Sequence, residues 1–206
     1  MPREWDGIVS KYINRRFSRP MARFIAKYRR ISPNHVTILS FLVALTSGLA
    51  FFSSQPIIGG VLAQLASILD GVDGDLAVLT SRVTRFGGFL DAVLDRYGDA
   101  AILMGMTCHL FIFWKQNITG FAVGVVALIG SLLVSYSRTR AESDLGIIFD
   151  KGVAGYAGNR DVRLFIVMLG GILNQVFLTL LALAILTNLT VLMRIWIVWA
   201  SCRREK

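Results

Sequence analysis

The feature that most constrains this chain is a series of long apolar runs. They lie near residues 35–54, 56–69, 100–114, 118–136, 164–186 and 189–200. Alone or with their neighbours, they approach the ~20 residues that a membrane-spanning helix needs. Because backbone amides find no partners in lipid, such runs must be helical. Hydrophobic residues make up 54% of the 206 positions and charged residues only 17%, which argues against a soluble globular fold.

We predict an all-α integral membrane protein with six transmembrane helices, preceded by an interfacial amphipathic helix. Residues 1–33 mix apolar side chains with Lys and Arg at roughly helical spacing, which is typical of a juxtamembrane helix in the membrane interface. Residues 34–206 are predicted to form one membrane domain. The six spans are predicted at about 35–54, 58–80, 87–113, 118–138, 161–177 and 179–200.

The basic residues predict the orientation. Nine of them lie in residues 1–34, two in 81–86, five in 137–163 and three in the C-terminal tail, whereas the opposite side holds only Lys115. By the positive-inside rule, both termini and the site described below are cytoplasmic. This topology, with attraction to anionic membrane lipid, explains the formal charge of +9. No nucleic-acid partner is predicted, because no recognition fold is apparent.

Six aspartates are concentrated in residues 69–99. Asp70 and Asp73 are three residues apart, and Asp91 and Asp95 are four apart, so each pair shares one helix face. A short loop joins the two helices and brings the four carboxylates to a similar depth. An ionised aspartate inside a bilayer costs roughly 3 kcal/mol, so a cluster is functional by default. All-oxygen ligation suits a divalent cation such as Mg²⁺, Mn²⁺ or Ca²⁺.

Glycines accompany these aspartates and leave room for a ligand to approach the backbone. With carboxylate-bound metal they suggest a phosphate-bearing substrate, although helix packing explains any single glycine equally well. Two further aspartates are left outside the site. Asp75 is predicted to lie near a helix edge or to pair with a basic residue, and Asp99 to extend the polar track or to pair with Arg96. The glycines are Gly71, Gly74, Gly87 and Gly88.

Residues 70–95 read DGVDGDLAVLTSRVTRFGGFLDAVLD. This spacing resembles the signature of the CDP-alcohol phosphotransferase family, D-x2-D-G-x2-A-R-x8-G-x3-D-x3-D, and seven of the eight fixed positions agree. The segments SPNHVT at 32–37 and SYSRTRAE at 135–142 also resemble family segments. The resemblance implies six transmembrane helices, usually in a homodimer. It also implies metal-dependent attack by a small alcohol acceptor on the β-phosphorus of a CDP-alcohol donor, with release of CMP.

The same resemblance assigns roles to single residues. It implies Mg²⁺ or Mn²⁺, as two ions, with Asp91 bridging them and Asp95 acting also as the general base. The nucleotide pocket is implied to contain Asp73, Gly74, Ala77 and Gly87. The implied metal ligands are Asp70, Asp73, Asp91 and Asp95.

The chain departs from the signature at Val78, where the family has arginine. An apolar side chain cannot donate to a nucleotide. Either a neighbour such as Arg82 or Arg85 replaces that arginine, or nucleotide binding is weakened, or the activity is altered.

Basic residues after the fourth span suggest a second pocket, for a phosphorylated acceptor, because arginine's planar fork suits phosphate. Topology alone explains any one of these charges at least as well. The chain most resembles the inositol-phosphate branch of the family, with CDP-diacylglycerol or CDP-inositol as donor and inositol phosphate as acceptor. The predicted acceptor-binding residues are Arg138, Arg140, Lys151, Arg160 and Arg163.

Two other functions use intramembrane aspartates. A UbiA-like membrane prenyltransferase places its aspartate motifs on helices far apart in the sequence, whereas here Asp91 lies only 21 positions after Asp70. A divalent-cation transporter would show symmetric half-repeats around a midplane site, and this sequence shows no repeat.

Overall fold

The computed structural model describes residues 9–28, 30–113, 118–149, 155 and 158–204. Every regular element in these ranges is helical, as the apolar runs predict. A π-helical turn, Ser10–Asn14, leads into the first α-helix. The α-helices are α1 (Arg15–Ile25), α2 (Pro33–Phe52), α3 (Pro56–Leu79), α4 (Arg85–Phe113), α5 (Ile118–Leu145), α6 (Arg160–Ile172) and α7 (Val176–Arg204).

Four helices, α2, α3, α5 and α7, are long and apolar enough to cross a membrane. The chain is therefore an integral membrane protein. Helix α4 is as long but carries aspartates, and α6 has only 13 residues, which extend about 20 Å. The prediction of a fifth span over 161–177 is wrong at its end. The helix ends at Ile172, and Asn174 adopts a φ of 55° in the turn before α7.

The start of α2 follows from its first residues. The Ser32 hydroxyl accepts from the His35 amide at 3.4 Å, and the His35 ring accepts from the Ser32 amide at 3.2 Å. This reciprocal capping satisfies two amides that have no partner within the helix. Pro33 occupies the first turn, where its missing N–H costs nothing. The capped turn places Thr37 one turn inside the helix, against α3.

Helix α2 packs along both α3 and α4, which contact each other little. The α2–α4 contact depends on glycines: a Cβ atom added at Gly105 would lie 2.1 Å from the Gly48 carbonyl oxygen, and one added at Gly48 would lie 2.4 Å from the Ala101 carbonyl oxygen. The two backbones are therefore in direct contact. Helix α6 packs on α3, and α5 on α4 and α7, so α6 approaches the aspartates.

The N-terminal segment docks on α3 through buried polar contacts. The Asn14 side chain donates to the Ser67 hydroxyl at 2.9 Å and accepts from Gln64 at 2.7 Å. Arg15 pairs with Asp75 at 2.5 Å. The prediction that Asp75 pairs with a basic residue is therefore confirmed.

Candidate active site

Three aspartates from α3 and α4 form the centre of the site. Asp70 lies on α3, and Asp91 and Asp95 lie one turn apart on α4. Each offers one carboxylate oxygen, and the three oxygens lie within 4.8 Å of one another. One oxygen of Asp91 is buried without a hydrogen-bond partner, which is unfavourable unless a cation binds it. These three residues, called the aspartate cluster below, therefore fit a hard divalent cation.

Asp73 lies one turn from Asp70 on α3 and is only 6% exposed. Its carboxylate accepts from the Thr37 hydroxyl at 2.6 Å and is repelled by Asp70 and Asp91. It is adjacent to the aspartate cluster without belonging to the group of three close oxygens. Its assignment as a metal ligand stays a prediction.

A groove of about 390 Å³ opens beside the cluster, between α2, α3 and α4. We call it the α2–α4 groove. A Cβ atom added at Gly87 would lie 2.9 Å from the Thr84 hydroxyl and 3.1 Å from the Asn34 side-chain oxygen, so glycine keeps this wall open. All four residues predicted to bind nucleotide line the groove, namely Asp73, Gly74, Ala77 and Gly87.

A second cavity, of about 150 Å³, lies on the α5 and α6 side of the cluster. We call it the basic cavity. It brings together Arg138, Arg160 and Arg163, three of the residues predicted to bind an acceptor phosphate. Arg140 is not among its lining residues and instead pairs with Asp144 at 2.6 Å on the surface. Lys151 lies outside the described residues.

Arg160 connects the basic cavity to the aspartate cluster. Its Nη1 atom lies 3.0 Å from Asp70 and 2.9 Å from Asp95, and its Nε atom donates to Asp99 at 3.0 Å. Because α6 packs on α3, this guanidinium reaches carboxylates that are distant in the sequence. It places a positive charge among them.

Asp99 pairs with α6. It accepts from Arg160 and from Arg163, the latter at 2.9 Å, and Arg163 also donates to the Ser131 hydroxyl and carbonyl oxygen. Arg96 instead donates to the Ala92 carbonyl of its own helix at 2.7 Å. The predicted pairing of Asp99 with Arg96 is therefore wrong. The alternative prediction, that Asp99 extends the row of polar residues formed by Asp91 and Asp95 on α4, is confirmed.

Arg194 is a residue of this site that the sequence interpretation missed. It lies in the apolar helix α7, is 1% exposed and lines the basic cavity. It donates to the Val134 carbonyl oxygen at 2.6 Å and lies 5.0 Å from the Phe149 ring centroid. A lone arginine inside an apolar span is costly and marks a functional site by default, so the sequence did contain the signal.

The model of the CDP-alcohol phosphatidyltransferase family matches residues 30–202. The chain belongs to this family. This match confirms the family resemblance that the aspartate spacing indicated. It also shows that the protein is a member of a family of transferases. The prenyltransferase and transporter alternatives lose their support.

Two curated relatives are similar in sequence to this chain. The bifunctional IPC transferase and DIPP synthase of Aquifex aeolicus is 39% identical over 200 residues, which cover 94% of the chain and 44% of that relative. The archaetidylinositol phosphate synthase of Methanothermobacter thermautotrophicus is 35% identical over 207 residues, covering 97% of the chain and 98% of that relative. The chain thus spans less than half the length of the bifunctional relative.

The fold of this CDP-alcohol phosphatidyltransferase family member is similar to that of a solved relative. The crystal structure of Mycobacterium tuberculosis phosphatidylinositol phosphate synthase with CDP-DAG bound matches with a TM-score of 0.76 and 26% identity, covering 89% of this chain and 94% of that one. A structure of the same synthase in complex with manganese and citrate matches with a TM-score of 0.75 over 89% of each chain.

Proposed function

We propose that this protein transfers a substituted phosphate group from a CDP-alcohol to the hydroxyl group of inositol phosphate and releases CMP. One observation carries the proposal: the aspartate cluster lies between two differently built pockets. Asp91 lines the open α2–α4 groove, and Asp95 lines the basic cavity. A donor in the groove and an anionic acceptor in the cavity would therefore meet at the carboxylates.

The donor half of the site binds metal and nucleotide in this proposal. Two Mg²⁺ or Mn²⁺ ions, when bound, stabilise both the attacking and the leaving oxygen. Asp91 would be a ligand of both ions, and the nucleotide would lie along Gly74, Ala77 and Gly87, with Asp73 at its phosphate end. The proposed metal ligands are Asp70, Asp73, Asp91 and Asp95.

The acceptor half positions and activates the hydroxyl group. Arg138, Arg160 and Arg163 bind the acceptor phosphate through charge-assisted hydrogen bonds. Asp95, at the boundary of cavity and cluster, takes the proton of the attacking hydroxyl, because an alcohol is a weak nucleophile without a base within hydrogen-bond reach. Arg140 and Lys151 belong to the same proposed basic side, but the geometry supports the first three residues.

The names of the relatives support the substrates. The solved relative holds CDP-DAG, which favours CDP-diacylglycerol as donor, and CDP-inositol stays the second candidate that the family resemblance implies. The archaetidylinositol phosphate synthase favours inositol phosphate as acceptor. These substrates place the protein in phospholipid or inositol-phosphate solute biosynthesis.

We further propose a homodimer in which α2–α7 cross the membrane six times, with both termini and the site cytoplasmic. In this arrangement residues 34–206 form the membrane domain and residues 1–33 the juxtamembrane segment. The exposed Phe17 and Phe24 of α1 support its placement in the interface among membrane lipids.

The test is release of CMP by the purified protein in lipid nanodiscs. CDP-diacylglycerol and CDP-inositol are each supplied with inositol phosphate, inositol, glycerol phosphate or serine, in the presence of Mg²⁺ or Mn²⁺. We expect CMP only with donor and acceptor together, fastest with inositol phosphate, and none after chelation of the metal. Absence of CMP with every pair would overturn the transferase proposal, and equal rates with all acceptors would overturn the assignment of inositol phosphate.

A further inference from the structure

Val78 and one basic side chain are among the described residues that line the α2–α4 groove. Val78 is 56% exposed and lines the groove, so an apolar surface stands where the family signature has arginine. Arg82 lines the same groove and is the only Lys or Arg among the described residues that do so. We infer that Arg82 binds the phosphate groups of the nucleotide and supplies the positive charge that Val78 cannot. This inference rests on the proposed function.

The end of α3 fixes the position of Arg82 relative to Val78. Ser81 adopts a φ of 53°, and its amide donates to the Val78 carbonyl oxygen at 3.2 Å. The Arg82 amide donates to the Ala77 carbonyl oxygen at 2.9 Å. These two bonds and the left-handed residue between them form a Schellman motif, which ends a helix and folds the chain back over its last turn. The motif therefore holds the Arg82 backbone beside Ala77, on the groove wall.

The charge of a nucleotide in the groove favours such a residue. Asp73 and Asp91 line one part of the groove, and metal bound there would neutralise them. A nucleoside diphosphate carries negative charge on both phosphates, so a guanidinium on the remaining wall adds an attraction that valine lacks. Arginine is suited to this task because its planar fork matches two phosphate oxygens at once.

The neighbouring Arg85 provides a matched control. It follows Arg82 by three residues, begins α4 and is exposed, yet it is not among the described residues that line the groove. Both arginines contribute the same charge to the cytoplasmic surface in the proposed topology. A specific contact and a general electrostatic attraction therefore predict different results for the two.

The experiment is isothermal titration calorimetry, in which CDP is titrated into the Mn²⁺-loaded protein in nanodiscs. We expect Arg82→Ala to weaken CDP binding at least tenfold, as loss of a charge-assisted hydrogen bond does, and Arg85→Ala to change it less than twofold. The double variant Arg82→Ala with Val78→Arg should recover most of the lost affinity. Arg82→Gln, with unchanged Mn²⁺ affinity, separates loss of charge from loss of structure.

Three results would overturn the inference: unchanged CDP affinity in Arg82→Ala and Arg82→Gln, equal losses in the Arg82 and Arg85 variants, or no recovery with Val78→Arg. If instead the wild-type protein with Mn²⁺ binds no CDP at all, the proposed function itself fails, and this result is distinct from the other three.

Discussion

Asp95 occupies a unique position among the described residues, because it belongs to the aspartate cluster and also lines the basic cavity. A proton acceptor at this boundary touches both the metal side and the acceptor side. Its neighbour Asp91, one turn away, lines the α2–α4 groove instead. The two carboxylates of one helix face therefore have different tasks in the proposed reaction.

This difference predicts the behaviour of Asp95→Asn. Asparagine keeps the shape and one oxygen ligand but cannot take the proton, so we expect kcat to fall about 10²- to 10⁴-fold, with CDP affinity in Mn²⁺ changed only a few-fold. CMP release and CDP calorimetry measure the two effects. Asp144→Asn, at the exposed carboxylate that pairs with Arg140, is the control. Wild-type turnover in Asp95→Asn would contradict the assignment of the base.

Arg160 contacts three of the carboxylates at once, namely those of Asp70, Asp95 and Asp99. Replacement by Gln leaves Asp70, Asp95 and Asp99 without their shared partner, and removing one side of a buried ion pair costs about 3 kcal/mol. We expect the unfolding midpoint of the metal-free protein to fall markedly, and Mn²⁺ to stabilise Arg160→Gln more than the wild type, because the ion no longer competes with a guanidinium. Thermal unfolding with and without Mn²⁺ measures both.

Arg140→Gln provides the control for that measurement. The pair of Arg140 with Asp144 is exposed, so its loss changes stability by no more than about 1 kcal/mol. If Mn²⁺ stabilised Arg160→Gln and the wild type equally, Arg160 and the ion would not compete for the same carboxylates.

At the scale of the helices, local patterns predicted what depends on local chemistry. The apolar runs predicted the helices, and the four-residue spacing of Asp91 and Asp95 placed both residues on one helix face. The sequence did not predict that α2 packs between α3 and α4. This packing depends on glycines at the helix contacts, and their role can be recognised only when the partner helix is known. The position of Arg160 likewise depends on the packing of α6 on α3.

The glycines at the contact between α2 and α4 predict how a larger side chain there would change stability and metal binding. A methyl group at Gly105 would overlap the Gly48 carbonyl oxygen, so Gly105→Ala must push α2 away from α4, at a cost of about 1–3 kcal/mol. We expect a lower unfolding midpoint and weaker Mn²⁺ binding, because α4 carries two of the three clustered carboxylates. Gly88→Ala is the matched control on the same helix, since a Cβ there meets nothing within 4 Å. Equal effects of both substitutions would contradict this account of the α2–α4 contact.

At the scale of the molecule, the charge distribution and the two pockets point to the same side. Outside residues 1–33 and the C-terminal tail, seven of the ten remaining Lys and Arg residues lie in residues 81–86 or 137–163. An anionic nucleotide and an anionic acceptor would both approach from that side. The charges that predict the orientation of the chain would therefore also attract its proposed substrates.

This orientation predicts which loops a membrane-impermeant thiol reagent can reach. In a background where Cys108 and Cys202 are replaced by serine, we introduce Ser53→Cys, in the exposed turn after α2, or Ser143→Cys, at the exposed end of α5. The positive-inside rule places the first outside the cytoplasm and the second inside it. We therefore expect maleimide labelling of Ser53→Cys in intact spheroplasts, and of Ser143→Cys only after the membrane is opened or inverted. The reverse pattern would overturn the orientation. Three helices, α3, α4 and α5, are proposed to cross the membrane between the two positions, which puts the positions on opposite sides. Labelling of both cysteines from one side would overturn that number of crossings.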